Sequence, residues 1–244
     1  MKKILIIITI ILVSVSFLTA DIYIKTKTHT NEMNFMGKKT PAKDVISEQW
    51  LGNKIYTNVT DKQIIIIDLN KNVIYMVNPS DKTYVETTLP LDMKKLLPAQ
   101  VASMMSMMKM TIKVTPTSET KVIKGWKCKG YDMDMNMTMM TMKSRLWVTK
   151  DVPFDWKKFR DEMGLETFKA AMASMSIGED AINEFKKIDG FQVASKMTMS
   201  IMGQNVVTTS EVQEISKKAA PAGIYKVPAG YKKVEKIHMK GMGR

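Results

Sequence analysis

Residues 131–139 alternate without a break, apolar at every odd position and polar at every even one. A period of two belongs to a β-strand, whose successive side chains point to opposite faces. One face carries Asp132, Asp134, Asn136 and Thr138. The other carries Met133, Met135, Met137 and Met139 behind Tyr131. The pattern returns at 196–201, where Met197 and Met199 share the apolar side.

Shorter runs precede this strand. Residues 45–51, 54–59, 64–68, 73–77 and 83–86 are rich in β-branched and aromatic side chains. Turn residues separate them: Gly52-Asn53, Thr60-Asp61-Lys62, Asn70-Lys71-Asn72 and Asn78-Pro79-Ser80-Asp81. Such punctuation predicts a meander of antiparallel hairpins. Residues 21–30 read as a polar strand. Further strands are expected at 112–115, 126–142, 145–149, 191–202 and 206–215, the last two joined around Gly203-Gln204-Asn205.

Two stretches change period. Leu97, Val101, Met104 and Met108 recur at helical spacing with Met105 beside them, so 91–110 predicts an apolar helical stripe. Residues 154–187 do the same through Trp156, Phe159, Phe168, Met172 and Phe185, with Gly164 weakening the helix locally. The expected fold is α+β: a curved, open antiparallel sheet, a half-barrel partly covered by these helices. It forms one domain over 21–235, followed by a loose basic tail at 236–244.

The start of the chain bears on where it works. Met1-Lys2-Lys3 is basic, residues 4–13 are almost wholly aliphatic, and Ala20 is a small residue suited to cleavage. The apolar run is shorter than the ~20 residues a membrane-spanning helix needs. Residues 1–20 therefore read as a signal peptide, with an uncleaved anchor as the alternative. Export places the protein in the periplasm or otherwise outside the cell. Cys128 is the only cysteine, so no intrachain disulfide supports the fold. The net charge is +13; in an exported protein this points to an anionic membrane surface and excludes nucleic acid as the natural partner.

Several short segments together resemble a family of exported bacterial proteins whose domain has no assigned function. They are Ile67-Asp68, Tyr75-Met76-Val77-Asn78-Pro79, Lys82-Thr83-Tyr84, Gly125-Trp126-Lys127-Cys128, the run from Leu146 to Asp151, and Val227-Pro228-Ala229-Gly230-Tyr231. That family is similar in turn to periplasmic carriers of outer-membrane lipoproteins. The resemblance implies an open, strongly curved sheet whose concave apolar face holds acyl chains. It assigns no residue here a role.

The chain holds 24 methionines. Methionine is unbranched and polarisable, so a face built from it adapts to more than one apolar shape. Met133, Met135, Met137, Met139, Met197 and Met199 would tile a strip suited to a long apolar ligand, with Met104, Met105 and Met108 closing over it. The same residues would equally fill a core between sheet and helices. Thioethers are also soft ligands, so an envelope Cu(I)-binding protein is the alternative, with Met139-Met140-Thr141-Met142 and His238-Met239-Lys240-Gly241-Met242 as the densest clusters. A ligand-free interaction scaffold is a third reading.

Catalysis finds little support. There is no Gly-x-Ser-x-Gly elbow, no His-Glu-x-x-His pair and no glycine-rich phosphate loop. His29 and His238 are the only histidines. Asp132 and Asp134 share a strand face, as the wet side of a half-buried strand would require. The expected activity is non-enzymatic binding of a lipid or lipidated protein, without a cofactor.

Overall fold

In the computed structural model, residues 20–35, 38–89, 91–97, 103, 110–137, 140–164, 179–201 and 203–236 are described. The segments expected to form the signal peptide and most of the loose tail lie outside them.

The amino-terminal half is a meander. β1 (Asp21–Thr30) is followed by a small separate hairpin, β2 (Met33–Phe35) and β3 (Lys38–Thr40), and then by β4 (Lys43–Gly52). Next come β5 (Ile55–Val59), β6 (Ile64–Asp68), β7 (Val73–Asn78) and β8 (Thr83–Thr88). Two of the turns are built alike. The Asp68 carboxylate accepts the amides of Asn70 and Lys71, and the Asn78 side-chain oxygen accepts those of Ser80 and Asp81. Asn72 and Lys82 then close the two loops with positive φ. These are the turn residues the sequence supplies between its β-branched runs.

After the short helix α1 (Met93–Leu96) come three long strands: β9 (Met110–Ile123), β10 (Trp126–Met137) and β11 (Met140–Thr149). Helix α2 (Trp156–Phe159) runs into a wide turn at Arg160–Gly164, and α3 (Glu179–Lys186) leads to β12 (Phe191–Ile201) and β13 (Gln204–Lys218). The two-residue β14 (Lys232–Lys233) ends the described chain.

Twelve strands form one open sheet in the order β14-β8-β7-β6-β5-β4-β1-β13-β12-β11-β10-β9. All pairings are antiparallel except β14 with β8. The sheet curves without closing. Phe159 packs against a cluster on β6–β8 (Ile67, Ile74, Val85) and against one at the ends of the central strands (Ile24, Val193, Val212), joining the two halves.

Three sequence expectations need correction. The fold is mainly β rather than an even α+β mixture, because the helices among the described residues are short pieces laid on one large sheet. The strand expected over 126–142 is two strands: Met137 pairs directly with Met140, and β11 then continues through 145–149. Neither Gly nor Asn marks this reversal. The strand expected at 112–115 runs on to Ile123, through Pro116 and a polar stretch that conceals it. Its turn is Lys124-Gly125, both with positive φ, as a tight two-residue hairpin requires.

Candidate functional site

Cross-strand register turns the methionine row into a grid. One row crosses five strands as Ile112, Met135, Met142, Met199 and Val206. Beside it runs Met110, Met137, Met140, Ile201 and Gln204; on the other side lie Val114, Met133, Ser144, Met197 and Thr208. Neighbouring strands are ~4.8 Å apart and like neighbours along a strand ~6.6 Å, so the grid is a surface rather than a line.

The grid is unevenly covered. Met110 and Met135 are buried, and Met133, Met137 and Met142 pack against their cluster. Helix α3 covers this side: Ala181 is buried in the cluster, Phe185 packs on it, and Ile188 follows. The Tyr131 hydroxyl is buried nearby and accepts the Asp189 amide at 3.3 Å. Met197 and Met199, further in on β12, are half-buried and belong to none of the buried clusters among the described residues. Met104, Met105, Met108 and Met139 lie outside the described residues.

Past β12 the same face becomes polar. Thr208 meets Thr30 at 3.3 Å and Thr28 donates to Ser210 at 3.2 Å. Ser47 donates to Asn58 at 2.6 Å on the neighbouring strands. This face therefore carries an apolar grid on one half and a hydroxyl strip at its centre. The pairing of these groups with each other removes much of the cost of covering them.

The opposite face is charged. Arg145 Nε and Nη2 donate to the two Asp132 oxygens at 2.6 and 3.2 Å, and Nη1 reaches Glu119 at 2.5 Å. Asp132 is thus held as an ion-pair partner. Trp147 lies on this face beneath Lys121, whose ammonium is 4.1 Å from the ring centre. Gly130 makes room for it: a Cβ there would stand 2.6 Å from Thr117 Oγ1 and 3.3 Å from the Trp147 ring. His29 bonds Asp44 through Nδ1 at 2.6 Å, and Lys27 reaches the same carboxylate, which the two hold below its ordinary pKa. Cys128 is buried, its thiol pKa raised chiefly by that burial, and it donates weakly to the Trp126 carbonyl. Among the described residues no group of three His, Cys, Asp or Glu side chains converges as a metal site would need.

Sequence reasoning missed a bay of about 780 Å³ at the far end of β10. Lys127, Lys129, Tyr131, Val148, Lys150 and Asp189 contribute to its wall. The signal was present, since the odd-numbered face of β10 runs on from Met133 through Tyr131 to Lys129 and Lys127.

The chain belongs to the family described as a domain of unknown function, DUF4412, whose model matches residues 19–231. No curated protein matches it. Among solved structures it is similar to a Vibrio parahaemolyticus domain described as an outer membrane lipoprotein-sorting protein. That likeness has 8% identity and a TM-score of 0.30, covering 83% of this chain and 87% of that one. A likeness of this size does not transfer a ligand.

Proposed function

We propose that the protein is an exported, non-enzymatic binding protein working as a carrier-like half-barrel, which holds an apolar or amphipathic ligand, a lipid or a lipidated protein, on its methionine grid. One observation carries this reading: the grid continues beyond the side covered by α3 to Met197 and Met199, which are half-buried and, among the described residues, outside the packed clusters. A packed core would not need that extension. Burying an acyl chain there contributes about 0.8 kcal/mol per methylene, and thioether side chains adapt to chains of different length. The basic surface would favour approach to an anionic membrane.

The test is titration with the neutral apolar fluorophore N-phenyl-1-naphthylamine, alongside native mass spectrometry of detergent-free protein. Met197→Asp with Met199→Asp should weaken probe binding at least tenfold while the circular dichroism spectrum stays native. Unchanged binding in that variant, or no binding by the wild type, would remove the reading. Met135 is unsuitable for this test because it belongs to the buried core.

Register also supports a second reading. Met135, Met142 and Met199 stand directly opposite one another on three adjacent strands, where facing Cβ atoms are about 5 Å apart. Three such thioethers would suit Cu(I). Met142→Leu with Met199→Leu conserves volume, so it separates the readings: apolar binding survives the change and Cu(I) binding does not.

A further inference from the structure

One face of β10 changes chemistry along its length. Read from the hairpin end it is Met137, Met135, Met133, Tyr131, Lys129 and Lys127. Their alternate spacing keeps them on one side of the strand. The register with β11 is unbroken from Met137 to Lys129, whose partner is Val148. The Lys129 ammonium lies 5.7 Å from the centre of the Tyr131 ring, which confirms that the two side chains share a face. Met133 and Lys129 are about 13 Å apart along the strand.

The cationic end of this row opens into the bay of about 780 Å³. Lys127, Lys129 and Lys150 line it against two aspartates, Asp151 and Asp189, while Lys121 adds only its stem to the wall because its ammonium lies over Trp147. One aspartate is already used, because Lys150 pairs with Asp189 at 2.5 Å. Lys127 and Lys129 are exposed and make no ion pair among the described residues. The wall between them and the methionines is apolar, formed by Tyr131 and Val148, both members of the cluster that contains Met135. Among the described residues no arginine lines the bay. Flexible ammonium groups act as point charges towards phosphate, whereas planar carboxylates are matched best by the arginine fork.

We propose that the bay takes the phosphate of an anionic amphiphile whose apolar chain runs past Tyr131 to the half-buried methionines of the grid, Met133 on β10 and Met197 and Met199 on β12. This rests on the apolar-ligand reading above and adds the headgroup to it. Lys127 and Lys129 supply the charge, and Tyr131 marks the boundary between headgroup and chain.

The full chain, as wild type and as Lys127→Glu with Lys129→Glu, would be titrated with four probes. These are dihexanoyl phosphatidylglycerol, uncharged dihexanoylglycerol, inorganic phosphate and neutral N-phenyl-1-naphthylamine. The expected result is phosphatidylglycerol binding at least tenfold tighter than dihexanoylglycerol, with that advantage lost in the variant and weakened by salt. Naphthylamine binding should be the same in both proteins. If the probe binds but phosphatidylglycerol shows no advantage, or the variant retains it, the bay proposal falls and the apolar reading stands. Inorganic phosphate binding as tightly as the lipid would make this a free-phosphate site and overturn the amphiphile. If no probe binds, both readings fall together.

Discussion

The Glu184 carboxylate on α3 accepts the backbone N–H of Val114 on β9 at 2.7 Å. β9 is the last strand of the sheet, so that amide faces outward. Alternate residues of a strand send their N–H groups to the same side, and the next such residue is Pro116, which has none to offer. One outward donor is therefore capped and the next is missing. An edge of 14 residues would otherwise be a template for strand addition. At the opposite edge, β8 is covered by β14, with Val234 donating to the Tyr84 carbonyl at 2.8 Å.

Removing both protections should expose the β9 edge. Glu184→Ala combined with Pro116→Thr is expected to self-associate at micromolar concentration in sedimentation velocity experiments. Glu184→Gln, which keeps an acceptor oxygen, should remain as the wild type. A double variant with an unchanged sedimentation coefficient would show that neither residue guards the edge.

The same cap has a pH dependence. Its bonds to Lys187 first, then to Val114, hold the Glu184 carboxyl below its ordinary pKa. A carboxyl depressed in the folded state stabilises it above the unfolded value, about 4.3, and loses that contribution as pH falls through the folded one. The Val114 amide resonance should therefore stay constant from pH 7 to about 5 and shift only at lower pH. Glu184→Gln should abolish the shift. A titration midpoint at or above the ordinary carboxylate value would contradict the geometry.

Lys54 and Lys82 close hairpin turns with φ of 57° and 50°. A side chain in the left-handed region costs roughly 1–2 kcal/mol, and glycine returns part of that gain as unfolded-chain entropy. Lys54→Gly and Lys82→Gly should each raise stability by about 0.5 kcal/mol in urea denaturation. Lys124 has φ 48° but also bonds Gln213 at 2.9 Å and approaches Glu211 at 3.5 Å, so Lys124→Gly should gain less. Equal gains at all three positions would mean that the Lys124 contacts add nothing.

Alternation and turn chemistry made much of this fold legible. Ile64–Asp68 was readable to the residue because β-branched side chains stop at an aspartate that caps its own turn. The β10–β11 reversal was not, although its trace is in the sequence. The inward methionines are odd-numbered up to Met137 and even-numbered from Met140, a parity change that a two-residue connection imposes. The methionine face was visible strand by strand, but its conversion into a grid was not, because register is a property of strand pairs. The lysine bay was missed for a different reason. Lys127 and Lys129 flank Cys128 in the sequence, and only the face they share with Met133, followed through Tyr131, links them to the methionines.

Between β13 and β14 the chain has no strand or helix, yet it is anchored at a defined point. Thr57 on β5 is completely buried, and its Oγ1 donates to the Ile224 carbonyl at 3.1 Å. Thr57 pairs with Trp50 and Ile66 on the neighbouring strands, facing away from the methionine grid. The segment after β13 thus straps the outer face before β14 reaches the sheet edge. Thr57→Val preserves shape but leaves the Ile224 carbonyl without its donor, at a cost of about 1–3 kcal/mol. Thr57→Ser should retain the bond. Limited proteolysis should cut the valine variant first between β13 and β14, and the serine variant no faster than wild type. If both variants are cut equally, the strap is held by packing, and the Thr57 hydroxyl is not its anchor.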